Sequence, residues 1–103
     1  MSDIETDRRA LVQRLLEGNG RASRDVRAAA FRDERSALPE AMRLLAEKII
    51  TRPSEVCDED MKGARAAGLT EDEIFELVVC IAVGEANREH EAALAALDAA
   101  ARG

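Results

Sequence analysis

The sequence predicts an all-α protein of about five helices, in which a long C-terminal helix forms the centre of a bundle. Apolar residues recur at helical spacing along most of the 103 residues, and capping residues precede several of these stretches. No stretch alternates apolar and polar residues as a half-buried strand would. With 47% hydrophobic and 35% charged residues, the chain is expected to fold as a single domain, residues 1–103.

The first two helices are predicted on either side of a glycine-containing break. Leucines and a valine at helical spacing favour a helix over residues 6–17, and Gly18-Asn19-Gly20 ends it. Ser23 is a candidate N-cap for a short second helix, and the charged run 32–35 follows as a connection. The buried side of that second helix is expected to consist of Val26, Ala29, Ala30 and Phe31.

The third and fourth helices are defined by prolines and a glycine. Pro39 suits a first helical turn, and the third helix should end before Pro53. Its apolar stripe consists of Leu38, Met42, Leu45 and Ile49. The fourth helix is predicted over residues 58–67, with acidic residues in its first turn and Gly68 as its C-terminal cap.

The fifth helix has the clearest start. Thr70 and Glu73 form the capping-box pattern T-x-x-E. The seven consecutive apolar residues 77–83 leave no polar face for two turns, which predicts a helix surrounded by others. Gly84 permits a bend or close packing there, and an alanine-rich segment extends the helix to residue 101.

The small supply of large apolar side chains predicts self-association. The chain has no Trp or Tyr and only two Phe residues, so its core should be thin. Such chains often gain buried area by forming homo-oligomers.

The charge pattern excludes some classes of partner. A net charge of −6 argues against nucleic-acid and anionic-membrane binding, which require a basic face. Residues 1–52 carry eleven Lys/Arg against nine Asp/Glu, and residues 53–103 carry four against twelve, so packing of one half on the other would be favourable. Because no basic start precedes an apolar run at the N-terminus, we expect a cytoplasmic protein.

Three residues are candidates for thiol chemistry. Cys57 stands at a helix N-terminus, which favours a thiolate, although the acidic residues around it oppose one. Cys80 lies in the apolar run, where cysteine usually packs as a small hydrophobe. Glu76 shares a face with Cys80 and is a candidate proton acceptor; the alternative is an exposed Glu or an ion pair with Lys48 or Arg88.

No cofactor or metal site is predicted. His90 is the only histidine, and the acids near it lack the E-x-x-H spacing of di-iron bundles. Glu40 and Glu47 are expected to face solvent. No phosphate-binding glycine loop or dinucleotide fingerprint occurs.

A segment in the second half of the chain resembles a known family. Val56-Cys57-Asp58-Glu59-Asp60, the turn AAGLTEDEIFE, Val79-Cys80 and Asn87-Arg88 together resemble the carboxymuconolactone decarboxylase and alkylhydroperoxidase D family. The resemblance covers about residues 38–97, within a helical core of residues 38–101, and residues 1–37 resemble an N-terminal helical extension. It implies an alkylhydroperoxidase D-like bundle assembled as trimers or hexamers.

The resemblance also implies a redox site that this chain carries only in degenerate form. Peroxidatic members have a C-x-x-C-x-x-x-H motif, in which one thiolate attacks the peroxide, the second resolves it, and the His relays protons with an upstream Glu. Counting back from Gly68, these three positions are occupied by Pro53, Val56 and Asp60. Cys57 lies one residue beyond the expected second cysteine.

Two functions therefore remain open from sequence. The first is a thiol-dependent antioxidant, an alkylhydroperoxidase-like oxidoreductase that uses Cys57, Cys80 and Glu76 and is regenerated by a thiol reductant. Decarboxylation is less expected, because no positioned His or Lys for proton transfer is identifiable. The alternative is a non-catalytic oligomeric interaction or scaffold protein that retains the fold only.

Overall fold

The computed structural model describes residues 2–103, and the side chains from residue 4 onward. Over these residues the chain is all-α and contains no strand, which confirms the predicted fold class. The five helices are α1 (Ser2–Glu17), α2 (Arg24–Arg32), α3 (Glu40–Thr51), α4 (Asp58–Ala66) and α5 (Glu71–Arg102). Two short 3-10 turns, Arg35–Ala37 and Pro53–Glu55, flank α3.

The predicted capping residues begin and end these helices. The Ser23 hydroxyl accepts a hydrogen bond from the Val26 N–H at 3.2 Å. At the start of α5, Thr70 accepts from the Glu73 N–H at 3.1 Å while the Glu73 carboxylate accepts from the Thr70 N–H at 3.0 Å. Gly68, at φ 103°, provides the left-handed residue that turns the chain from α4 into α5.

Two boundaries differ from the prediction. Helix α1 begins at Ser2, because residues 2–5 contain no helix breaker and Glu5 pairs with Arg8 one turn later. The charged run 32–35 is only partly a connection, since α2 continues to Arg32. Asp33, at φ 58°, ends that helix, because aspartate tolerates the left-handed conformation better than most residues.

The core is thin, as the composition predicts, and is arranged around the first half of α5. It contains no aromatic side chain: Phe31 is only partly buried and Phe75 is 68% exposed. Its buried members are Ala22, Ala29, Ala30, Leu38, Met42, Leu45, Ala46, Ala64, Ile74, Leu77, Cys80 and Ile81. The central position of α5 follows from its apolar run, which contacts α2, α3 and α4.

Close packing at Gly84 places α2 against α5. A Cβ atom built on Gly84 would lie 2.0 Å from the carbonyl oxygen of Phe31. The Arg88 side chain donates a hydrogen bond to the same oxygen and pairs with Glu85 at 2.9 Å. Of the two roles predicted for this glycine, the structure shows close packing.

Helix α5 extends well beyond the bundle. Helix α1 lies antiparallel to it, as shown by the contacts of Glu5 with His90 and of Arg8 with Asn87. From residue 89 to residue 103 every position is exposed. The molecule measures 51 × 29 × 22 Å, and its radius of gyration of 15.3 Å exceeds the value of about 13 Å expected for a compact chain of this length.

Candidate functional site

Cys57 is an exposed, free thiol at the N-cap of α4. Its backbone N–H donates to Asp60 Oδ2 at 2.9 Å, and its Sγ lies 3.4 Å from the same oxygen. Lys48 Nζ contacts both carboxylate oxygens of Asp60 at 3.1 Å. The backbone N–H of Cys57 and the ammonium of Lys48 hold the pKa of Asp60 below its usual range. The nearest polar partner of the Cys57 sulfur is thus a carboxylate, next to which a second anion would be repelled.

Cys80 is a buried, free thiol in the middle of α5, with 1% of its surface exposed. Burial raises the pKa of this thiol, because the thiolate would lose its hydration. The positive charge of Arg27 partly offsets that rise in pKa, and Glu76 adds to it. The net effect favours the uncharged thiol, in keeping with packing as a small hydrophobe.

Glu76 has a structural role in the break between α1 and α2. Its Oε1 accepts a hydrogen bond from the Arg21 N–H at 2.8 Å, and its Oε2 accepts from the Ala22 N–H at 2.7 Å. Two suggested partners are engaged elsewhere, since Lys48 pairs with Asp60 and Arg88 with Glu85.

The reason for a glycine next to this carboxylate is steric. A Cβ atom on Gly20 would lie 2.7 Å from Glu76 Oε1. The absence of a side chain there lets the loop backbone approach Glu76 and donate its N–H groups.

A small cavity brings Cys80 and Glu76 together with a residue that the sequence analysis did not select. The cavity has a volume of about 160 Å³. It is lined by Arg14, Leu15, Asn19, Arg27, Phe75, Glu76, Val79 and Cys80. Cys57 is not part of this lining; it lies on the surface, beside Asp60.

Arg27 is the residue that sequence reasoning missed. Its side chain is buried, with 5% of the residue exposed. The pattern did contain an indication, because Arg27 precedes Ala30 and Phe31 by three and four residues and so shares the apolar face of α2. An arginine within an apolar stripe is uncommon, and this position marks Arg27 as a candidate functional residue.

The other polar residues considered from sequence lie at the surface. Glu40 and Glu47 are exposed, as expected. His90 Nε2 lies 3.9 Å from Glu5 Oε2, and its side chain is 43% exposed. Among the residues described, no group of three or more His, Cys, Asp or Glu side chains is arranged to hold a metal ion.

A second surface of interest runs along α5. An apolar groove of about 460 Å³ separates α1 from α5, and it is lined by Arg8, Leu11, Val12, Ala82, Val83, Ala86, Asn87 and His90. The exposed segment 89–103, here called the α5 tail, shares His90 with the groove and continues from it. Within the tail, Leu94 is 50% exposed and Leu97 is 67% exposed. The α1–α5 groove and the α5 tail thus form one continuous surface with a large apolar component.

Comparison with protein-family models, with curated proteins and with solved structures found no match. The resemblance to the alkylhydroperoxidase D family therefore stays a prediction. Within residues 2–103, every helix is too short or too polar to cross a membrane.

Proposed function

We propose that this protein is a non-catalytic, self-assembling helical protein, in which the α5 tail of one copy packs in the α1–α5 groove of a second copy. The observation that carries the proposal is the exposed, apolar α5 tail. Between residues 92 and 101 its only charged residue is Asp98, which pairs with Arg102 at 3.0 Å within the same helix. A helix this poor in polar groups is normally stabilised by packing against other helices.

The exposed area supports a partner of substantial size. A compact monomer of 11.2 kDa is expected to expose about 5,700 Å². This chain exposes 6965 Å². The excess of roughly 1,300 Å² per chain exceeds the roughly 800 Å² that each partner buries in a standard-sized interface. Self-association therefore has enough surface available to be stable.

The spacing of residues along α5 favours a second copy as the occupant. One series of α5 residues begins in the floor of the groove and continues into the tail. Its members are spaced alternately three and four residues apart, which is the spacing of a coiled-coil seam. This series is Val83, Ala86, His90, Ala93, Leu97 and Ala100. If two α5 helices pair antiparallel about His90, Leu97 of each copy lies opposite Val83 of the other. Each leucine then fills the partner's groove, and the contact is closed by two-fold symmetry.

The test is the mass of the protein in solution, measured by light scattering during size-exclusion chromatography. We expect the wild type to run as an oligomer at micromolar concentration. Leu97→Glu should convert it to a monomer, because the substitution places a charge in the apolar contact at each end of the symmetric pair. The same measurement distinguishes a dimer from the trimers or hexamers that the family resemblance implies.

Leu44→Glu is the matched control. Leu44 is 73% exposed on α3 and lines a surface pocket with residues of α4, none of them in the tail, so its replacement should leave the mass unchanged. A wild-type protein that is monomeric at 100 μM would contradict the proposal. So would an oligomer that Leu97→Glu leaves intact but Leu44→Glu dissociates.

Thiol-dependent peroxidase activity is the second candidate, and the exposure of Cys57 at a helix N-terminus favours it. In such a reaction the Cys57 thiolate would attack a hydroperoxide, the O–O bond would break, and the sulfur would become a sulfenic acid as an alcohol is released. Intact mass after treatment with an organic hydroperoxide tests this: a rapid gain of one oxygen that Cys57→Ser abolishes would support it. Ordinary slow oxidation, equal in Cys57→Ser and Cys80→Ser, would argue against it.

A further inference from the structure

The cavity between α1, α2 and α5 contains a buried positive charge, which has no counter-ion among the side chains that the structure describes. Arg27 Nη1 donates to the Leu15 carbonyl oxygen at 3.0 Å. Its Nε atom is buried and has no hydrogen-bond partner within the described part of the chain. Among residues 4–103 no carboxylate lies within 4.0 Å of this guanidinium, whereas eight arginine–carboxylate ion pairs form elsewhere. A buried, unpaired charge is costly, so the arrangement favours the binding of an anion.

Glu76 does not supply that anion, although it lines the same cavity. Both of its oxygens accept hydrogen bonds from the backbone of the loop between α1 and α2. Its negative charge instead limits which anions can enter, because a divalent anion would be repelled by the Glu76 carboxylate more strongly than a monovalent one. A ligand with a single negative charge is favoured.

The shape and walls of the cavity define the ligand further. Leu15, Val79 and Cys80 provide an apolar wall, while the exposed residues Arg14, Asn19 and Phe75 lie at the mouth. A volume of about 160 Å³ corresponds to roughly five water molecules at about 30 Å³ each. The space suits a molecule of a few heavy atoms with a short apolar part.

We propose that this cavity binds a short-chain aliphatic monocarboxylate, with the carboxylate on the Arg27 guanidinium and the alkyl chain against Val79 and Cys80. The planar guanidinium donates from its fork of N–H groups in a geometry that matches a carboxylate. The site is separate from the proposed assembly surface: Cys80 and Leu97 are seventeen residues apart on α5, or about 25 Å along the helix.

The wild-type protein gives the first test, by thermal unfolding and calorimetric titration at constant ionic strength. Butyrate should bind saturably and raise Tm by about 7 °C at ten times its Kd. Butyramide, which has nearly the same shape without the charge, should bind at least tenfold more weakly, and sulfate should be excluded by its second charge. No saturable butyrate binding, or equal effects of butyrate and butyramide, would overturn the proposal.

Two further measurements locate the site. Arg27→Gln should abolish butyrate binding, whereas the matched control Arg24→Gln, an exposed arginine on the same helix, should bind as the wild type does. In the wild type, butyrate should slow alkylation of Cys80 severalfold without changing the rate at Cys57. This second readout does not depend on whether Arg27→Gln folds. Unchanged alkylation of Cys80 at saturating butyrate would refute the assignment, because a ligand in this cavity would cover the thiol.

Discussion

Helices α2 and α5 approach each other closely at Gly84. Of the glycines in this chain, we expect Gly84 to be the one whose replacement by alanine lowers the free energy of unfolding most. In Gly84→Ala the new Cβ would lie 2.0, 2.7 and 2.9 Å from the O, C and Cα atoms of Phe31. All three are backbone atoms, so no side-chain rotation relieves the overlap. Ordinary contact begins at 3.4 Å, so α2 must move away by about 1.4 Å.

The change in the free energy of unfolding of Gly84→Ala is the sum of one favourable and two unfavourable contributions. Alanine is favoured over glycine in a helix by about 1 kcal/mol. Overpacking costs about 1–3 kcal/mol, and loss of the hydrogen bond between Arg88 and the Phe31 carbonyl oxygen adds about 1 kcal/mol. The net effect of Gly84→Ala is a loss of about 1–3 kcal/mol in the free energy of unfolding, or a decrease in Tm of roughly 5–15 °C.

Gly63→Ala is the matched control: it is the same substitution, but it should raise the free energy of unfolding instead of lowering it. Gly63 is inside α4, and a Cβ built there meets nothing within 4 Å. The free energy of unfolding of this variant should rise by up to about 1 kcal/mol, because alanine has a higher helix propensity than glycine. Urea unfolding at fixed protein concentration measures both. If Gly84→Ala is as stable as Gly63→Ala, the described packing of α2 on α5 is incorrect.

Three further predictions concern the polar contacts and the thiols. The pKa of Asp60 is lowered in the folded state, so its ionised form contributes stability above its ordinary value of 3.8. The difference in Tm between wild type and Asp60→Asn should therefore be largest near pH 7 and shrink as the pH falls below 3.8; a difference that grows on acidification would contradict this. Glu76→Gln should lower the free energy of unfolding by about 1–3 kcal/mol, because the amide NH₂ group would face one of the loop N–H groups, donor against donor. Proteolysis of the loop 18–22 should also become faster. Urea unfolding unchanged from the wild type would refute the role of Glu76. A thiol-disulfide reagent should modify Cys57 rapidly and Cys80 only as the protein opens, and equal rates in Cys57→Ser and Cys80→Ser would show that Cys80 is accessible.

Local interactions explain why most helix boundaries were predictable. Ser23, Thr70 and Gly68 act on their nearest neighbours in the chain, and those neighbours are visible in the sequence. The N-terminal start of α1 was predicted too late, because its first turn carries no cap or breaker to mark it. The segment after Arg32 depends on one left-handed aspartate, whose conformation the charged run alone does not reveal.

The candidate site was less predictable, because its members meet only through packing. Cys80 and Glu76 were selected from their spacing on one helix, whereas their neighbour Arg27 comes from a different helix. The positions of Cys57 and Cys80 in the sequence did not reveal whether the two thiols meet. One proved exposed and the other buried, since burial depends on which helices surround each position.

The sequence by itself determined that the protein is all-α, where most helices begin and end, that its core is thin, and that α5 is central. These properties depend on periodicity, capping and composition, each of which operates within a few residues of chain. Only the tertiary structure decided that Glu76 binds the loop between α1 and α2, that Arg27 is buried without a counter-ion from residues 4–103, and that the α5 tail projects beyond the bundle. Those features arise from contacts between residues that are distant in the chain, or from the absence of such contacts, and depend on how the helices pack.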